Sequence, residues 1–199
     1  MKDLLKVIWK MEIQNIPVEN TTLLNIFEER IIKKAIKEKL IKSSGNALRL
    51  TKQGREKIKI VACGGVFDIL HPGHGFFLRK AKKYGDILVV IVALDSTVKK
   101  RKRIPIITQE QRRELVSHLK PVDYSVLGKE GDILKIIEIL NPSVIVLGPN
   151  QRHDKEKMKE ELTKRGLKVK IKRVKKYYEC PLPSTKLIID KILERYHPK

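Results

Sequence analysis

Cysteine is scarce. Cys63 and Cys180 are the only two in 199 residues, and neither stands in a Cys-x-x-Cys pair. A disulfide framework is thereby excluded, and a structural zinc site is not expected. Long apolar runs are missing too. Ile87 to Leu94 and Val144 to Leu147 fall far short of the ~20 residues that a membrane-spanning helix needs. The first ten residues are interrupted by Lys2, Asp3, Lys6 and Lys10, unlike a secretory signal, so a cytoplasmic protein with no membrane partner is expected. There is no internal repeat, no low-complexity tract and no Gly/Pro-rich linker. Glutamine is rare while Lys, Glu and Ile are abundant, a composition that fits heat adaptation.

Positive charge is plentiful. The formal net charge is +21, with 41% hydrophobic and 34% charged residues. Such a field attracts polyanions without saying which. The excess is not concentrated at one end: residues 1–58 carry a net +6 and residues 59–199 a net +15. Residues 152–176 hold 12 Lys/Arg against 4 Asp/Glu, read as a solvated basic face.

Hydrophobic patterning divides the chain in two. Residues 1–58 read as helices plus a small hairpin. Leu4, Leu5, Ile8 and Trp9 form an apolar stripe ended by Pro17. Asn20 or Thr21 offers an N-cap to a helix running through Leu24, Phe27, Ile31, Ile32 and Ile36 toward Leu40. Ser43-Ser44-Gly45-Asn46 is a turn signal between two short strands, and Thr51 can cap a last short helix over 52–57. That order resembles a small, mainly helical winged-helix domain. The resemblance implies DNA contact through Lys33, Lys34, Lys37 and Lys39 on the segment Glu29 to Leu40. A packing or dimerisation module with a solvated basic face is the other reading.

Residues 59–199 alternate strands with helices. Strands are predicted at 59–63, 87–94, 124–127, 144–147 and 167–174. Helices are predicted at 74–83, 108–119, 132–140, 155–165 and 185–196. This spacing implies an α/β domain, a Rossmann-like doubly wound parallel sheet covered on both faces.

Ligands of such sheets bind at the carboxyl ends of the strands, where Gly64-Gly65 lies. Glycines let backbone N–H groups approach a phosphate. Pro72 suits the first position of the next helix, which puts His71 just before it and His74 in its first turn, beside free N–H groups that favour anions. Strand, Gly64-Gly65-Val66-Phe67-Asp68 and His71-Pro72-Gly73-His74 together resemble the HxGH signature of the cytidylyltransferase-like nucleotidyltransferases.

The resemblance extends over residues 59–199 and is closest to archaeal-type FAD synthetases. It is carried further by Asp86 to Val98, Pro105-Ile106-Ile107, Glu110-Gln111-Arg112-Arg113, Leu119 to Asp123, Gly128 to Ile133, and Cys180 with Pro183-Ser184-Thr185-Lys186. It implies transfer of AMP from ATP to FMN, giving FAD and pyrophosphate, with Mg²⁺ or a similar divalent cation on the triphosphate. It implies catalytic roles for His71, His74, Lys99 and Arg112. Gly65, Val66, Phe67, Gly148, Asn150, Gln151, Ser184 and Thr185 would join the histidines in holding the nucleotide. Asp68, Asp95 and Lys99 would address the acceptor. No residue is assigned as a metal ligand. Thr185 also reads as an N-cap and nothing more. Tyr177 and Tyr178 suit either stacking on a flat ring or edge packing. A homodimer follows from the superfamily resemblance alone.

Three departures stand out. Val66 replaces the usual Thr, Asn150 replaces the usual Asp of Gly-x-Asp-Gln, and the basic loop over 99–103 differs in spacing. A cytidylyltransferase using CTP and glycerol 3-phosphate or another alcohol phosphate therefore stays open. So does a regulator that binds DNA and senses nucleotide.

Overall fold

The computed structural model describes residues 1–45, 47–100, 104–151 and 153–196. The chain forms two compact units, Met1–Lys59 and Ile60–Lys199.

The first unit runs α1 (Lys2–Ile13), α2 (Asn20–Leu24), α3 (Glu29–Lys37), β1 (Ile41–Ser44), β2 (Ala47–Leu50) and α4 (Lys52–Glu56). Its core gathers the stripe Leu4, Leu5, Ile8 and Trp9 with Leu23, Ile32, Ala35 and Leu40. The single long helix expected over 20–40 is two helices. Asn25 closes the first, and Glu28 is extended before the second. Neither Asn20 nor Thr21 is the cap: Glu19 precedes α2, and its side chain accepts from the Thr21 hydroxyl at 3.4 Å without capping a backbone N–H. β1 and β2 pair antiparallel. The Thr51 hydroxyl accepts from the Gly54 N–H at 3.0 Å, a cap of the kind that contributes about 1 kcal/mol. Gly54 has no room for a side chain, because a Cβ would sit 1.9 Å from the Leu40 carbonyl oxygen.

The second unit runs β3 (Ile60–Gly65), α5 (Pro72–Lys82), β4 (Ile87–Val92), α6 (Asp95–Lys99), α7 (Gln109–Ser117), β5 (Tyr124–Leu127), α8 (Lys135–Leu140), β6 (Val144–Leu147), α9 (Lys155–Lys164), β7 (Lys170–Arg173) and α10 (Thr185–Tyr196). The sheet order is β5-β4-β3-β6-β7, all parallel. β4 and β6 are buried along their whole length, as β-branched runs between two helical layers must be. α6 occupies a stretch expected as loop. The basic loop predicted over 99–103 lies partly outside the described residues.

β3 is the pivot of this order. The chain winds from it to β4 and β5 on one side and to β6 and β7 on the other. The strand order reverses between β3 and β6, and a crevice opens at such a switch point. Gly64-Gly65 ends one of these strands and Gly148 follows the other.

Candidate active site

Pro72 starts α5 and His71 is its N-cap residue, extended at φ −142°. Proline suits this position because its missing N–H would have had no helical partner. His74 falls in the first turn, and its N–H donates to the His71 carbonyl at 2.9 Å. The two imidazoles stack, with centroids 3.8 Å apart and planes 26° from parallel. The Phe67 ring leans on His74 at 5.1 Å.

This packing controls protonation. Burial holds the His71 imidazole below its usual value of 6.5. Burial first, and repulsion from His71 second, push His74 down to about 4. Both rings are therefore neutral at neutral pH before a ligand arrives. The Nδ1 atoms of both are buried without a hydrogen-bond partner among the described residues. Unpaired buried polar atoms are costly, and two together beside a helix N-terminus mark a site prepared for a ligand.

The turn between β3 and α5 is strained to bring this about. Phe67 has φ +55°, rare for a bulky residue and of order 1–3 kcal/mol in strain. Its ring folds back over Gly65, where a Cβ would lie 2.7 Å from it. Gly65 is thus required by its neighbour's side chain as well as by any phosphate. Gly73 is equally constrained: a Cβ there would meet His71 Nδ1 at 3.0 Å and the Pro183 carbonyl oxygen at 3.1 Å.

That close approach brings the start of α10 to the histidines. His71, Ser184, Thr185, Lys186, Ile189 and Asp190 line a hollow of about 550 Å³. The Ser184 hydroxyl accepts from the Leu187 N–H at 3.3 Å, so Ser184 caps α10 and Thr185 is its first residue. Two helix N-termini thus meet at one hollow, with the Lys186 side chain at its wall. Lys186 was not singled out as a site residue from sequence. Its signal was its place directly after Ser184-Thr185, at a helix start.

Other expected site residues are engaged elsewhere. Arg112, expected as a catalytic group, has a fully buried side chain. It donates to the carbonyls of Ile107 (2.9 Å), Val66 and Ala93 (2.9 Å), and pairs with Asp95. Asp95 is held in that pair, and its N–H donates to Gln109 Oε1 at 2.8 Å. Asp68, also buried, accepts from the N–H groups of Ile106 and Ile107 at 2.9–3.0 Å. Its carboxylate pins the loop before α7. The Gln151 amide is likewise spent on backbone, between the Gly148 N–H and the Gly64 carbonyl, each at 2.7 Å. Asn150 accepts from the Tyr177 hydroxyl at 2.5 Å. Tyr178 leans on Phe76 at 5.6 Å. Lys99 is exposed at the end of α6. Arg173, which grips the loop after β6, was missed by sequence reading because it sits unmarked in a lysine-rich run.

Among the described residues no three His, Cys, Asp or Glu side chains gather to hold a metal ion. A divalent cation required by the chemistry would ride on the triphosphate oxygens. Cys63 is buried and its thiol is pushed far above the usual range, which makes it inert, while Cys180 is half-buried and free.

Known proteins share this architecture. The Cytidylyltransferase-like family matches residues 62–191. The FAD synthase of Methanothermus fervidus is 53% identical over 131 residues, 64% of this chain and 90% of that protein. The FAD synthase of Aciduliprofundum boonei is 52% identical over 135 residues, 68% of this chain and 91% of that one. Among solved structures, a lipopolysaccharide core biosynthesis protein from Thermoplasma volcanium has a TM-score of 0.60 and 43% identity, covering 61% of this chain and 99% of its own. A pantoate-beta-alanine ligase from Francisella tularensis shares the fold alone, with a TM-score of 0.50 and 16% identity over 72% of this chain and 73% of its own. A family match over most of the chain, together with relatives about half identical along nearly their full length, shows that this nucleotidyltransferase belongs to the cytidylyltransferase-like family and, within it, to the group of the archaeal FAD synthases.

Proposed function

We propose that the chain transfers AMP from ATP to FMN, giving FAD and pyrophosphate. A phosphate oxygen of FMN attacks the α-phosphorus of ATP. The bond from that phosphorus to the bridging oxygen breaks, and pyrophosphate leaves with the electron pair. The FMN phosphate is already ionised at neutral pH, so no general base is needed. Catalysis is positioning and neutralisation of charge on the α-phosphate and the leaving group.

The observation that carries this reading is the stacked, partner-poor His71–His74 pair facing the start of α10, in a chain about half identical to FAD synthases. His71 and His74 hold the triphosphate as N–H donors, and the negative charge of the nucleotide raises their proton affinity. Gly65, Val66, Phe67, Gly148 and Asn150 contribute backbone and loop surface to the nucleotide. Ser184 and Thr185 bring the α10 N-terminus to the phosphates. Lys99 reaches the acceptor phosphate from α6. Mg²⁺ or another divalent cation neutralises the triphosphate and enters with it.

The test is pyrophosphate release with Mg²⁺, using ATP and CTP each against FMN and glycerol 3-phosphate. Release only with ATP and FMN is expected, with FAD as product. Release with CTP and the polyol phosphate would move the chain to the cytidylyltransferase reading. His71→Ala and His74→Ala, still folded, are expected to lose roughly 10²–10³-fold in kcat, the usual loss for a transition-state donor. Unchanged turnover would sink the site.

The same reading gives two copies per functional unit and a cytoplasmic setting. For residues 1–58 it retains a winged-helix-like module with DNA as a partner. Lys33, Lys34 and Lys37 lie on the exposed side of α3 around a second hollow. A gel shift with the gene's upstream DNA should weaken steeply with salt if phosphates are contacted. Absent or salt-insensitive binding would leave the module a packing element.

A further inference from the structure

The loop after β6 is fastened from three directions, and one of them ends on the last residues of β3. Arg173 stands opposite Leu147 in the parallel register of β6 and β7. From there its guanidinium donates to the carbonyls of Gly148 (3.0 Å), Gln151 and His153 (2.7 Å). Gln151 passes the constraint on, because its amide bridges the Gly148 N–H and the Gly64 carbonyl. Tyr177 holds Asn150 from the far side. Gly64 is the next-to-last residue of β3, the strand that leads to the His71 turn, so the sequence Arg173, Gln151, Gly64 ties β7 and β6 to β3 across the switch point. Arg173 is half-buried and has no carboxylate partner among the described residues. Its planar fork gives three bonds to backbone carbonyls, an arrangement that a compact ammonium does not reproduce.

We propose that Arg173 is a positioning residue for the nucleotide. It holds the loop 148–151 at a set distance from Gly64-Gly65, and so sets the width of the crevice that ATP enters, without touching ATP itself. This rests on the reading that ATP lies across the ends of β3 and β6. The Arg173–Gln151 bracket is in place before ATP binds, so ATP does not bear the cost of ordering the loop. The acceptor side, formed around α6 and the loop before α7, lies outside the bracket.

The experiment compares Arg173→Met, Arg173→Lys, Gln151→Glu and the double variant Arg173→Met/Gln151→Glu. Steady-state kinetics varying ATP and FMN separately are joined to calorimetric titration with ATP alone. For Arg173→Met the KM for ATP is expected to rise about tenfold, the usual consequence of losing a small hydrogen-bond network, while kcat and the KM for FMN stay within about twofold. Arg173→Lys keeps the charge but not the fork, and is expected to fall nearer to Met than to Arg. It also serves if the Met variant does not fold. Gln151→Glu still accepts from Gly148 but cannot donate to Gly64, and should weaken ATP by a similar factor. The double variant should be no weaker than the weaker single variant, because both cut one chain of bonds. The titration needs no acceptor, so it stands even if FMN proves to be the wrong one. Unchanged ATP affinity in Arg173→Met overturns the proposal. So do full rescue by Lys, additive losses in the double variant, or kcat and both KM values moving together.

Discussion

Two arginines clamp the two sides of the same crevice, and they do it under different electrostatic terms. Arg112, on α7, gathers the carbonyls of Val66, Ala93 and Ile107, which lie at the ends of β3 and β4 and just before α7. It is fully buried and paired with Asp95. Arg173, on β7, gathers the carbonyls of Gly148, Gln151 and His153 but stays half-exposed, with no acid beside it among the described residues. A guanidinium taken wholly out of water needs a counter-charge and nearly all its donors engaged. One that keeps contact with water can serve backbone carbonyls alone. Arg112 therefore belongs to the folding of the domain, whereas Arg173 is free to belong to the shape of its ligand crevice.

This contrast can be broken by measurement. Arg112→Met should destabilise the protein by about 3 kcal/mol, since it removes at once the ion pair to half-exposed Asp95 and the charge-assisted hydrogen bonds to three carbonyls; chemical denaturation reads it directly. An equal loss in Arg173→Met would erase the distinction between the two clamps. Asp68→Asn should cost about 1–3 kcal/mol, because the oxygen that accepts a second bond from the Ile106 N–H becomes an amide N–H facing that donor, and the remaining oxygen loses its charge. A variant as stable as the parent would show that the loop before α7 is held by something else. Arg173→Met should cost only about 1–2 kcal/mol in the same assay, as neutral acceptors regain water.

A pH-dependent effect belongs to the histidine pair, the titratable region beside these permanently charged clamps. His74 is held down to about 4 in the folded chain against an ordinary 6.5, so between these values the unfolded chain takes up the proton first. This contribution makes no pH demand above 6.5. Stability then declines as pH falls from 6.5 toward 4, and a series of thermal melts should show that slope flatten in His74→Gln. Bound triphosphate reverses the bias by favouring the imidazolium, so ATP binding near pH 5.5 should take up protons. Calorimetry in buffers of different ionisation enthalpy would detect this, and zero uptake would place the nucleotide away from the rings.

Much of the second unit was legible residue by residue. The β-branched run Ile87 to Val92 could be buried only as a strand between helices, and Pro72 and Thr108 marked helix starts from their own local chemistry. The position of the histidines at the start of α5 was readable for the same reason, since caps are decided within a few residues, whereas β3 runs on through Gly64 and Gly65, which were expected to form the turn. The break between α2 and α3 was not readable, because Leu24, Phe27 and Ile31 keep an apolar spacing through it. Nor was the short helix α6.

Within the site, residue type announced chemistry but not its direction. Arg112, Asp68 and Gln151 are the charged and polar residues one would aim at a nucleotide, and each is spent on the backbone of a neighbouring strand or loop. Arg173 looked like one more cation in a basic stretch. The sequence by itself determined the parallel α/β plan and the place of the histidine pair at the start of α5, because hydrophobic period and capping act over short stretches of chain. Only the tertiary structure decided which polar groups remain for a ligand. A buried donor or acceptor must be satisfied by whatever the fold brings within about 3 Å, and those partners lie 38, 46 and 87 positions away along the chain.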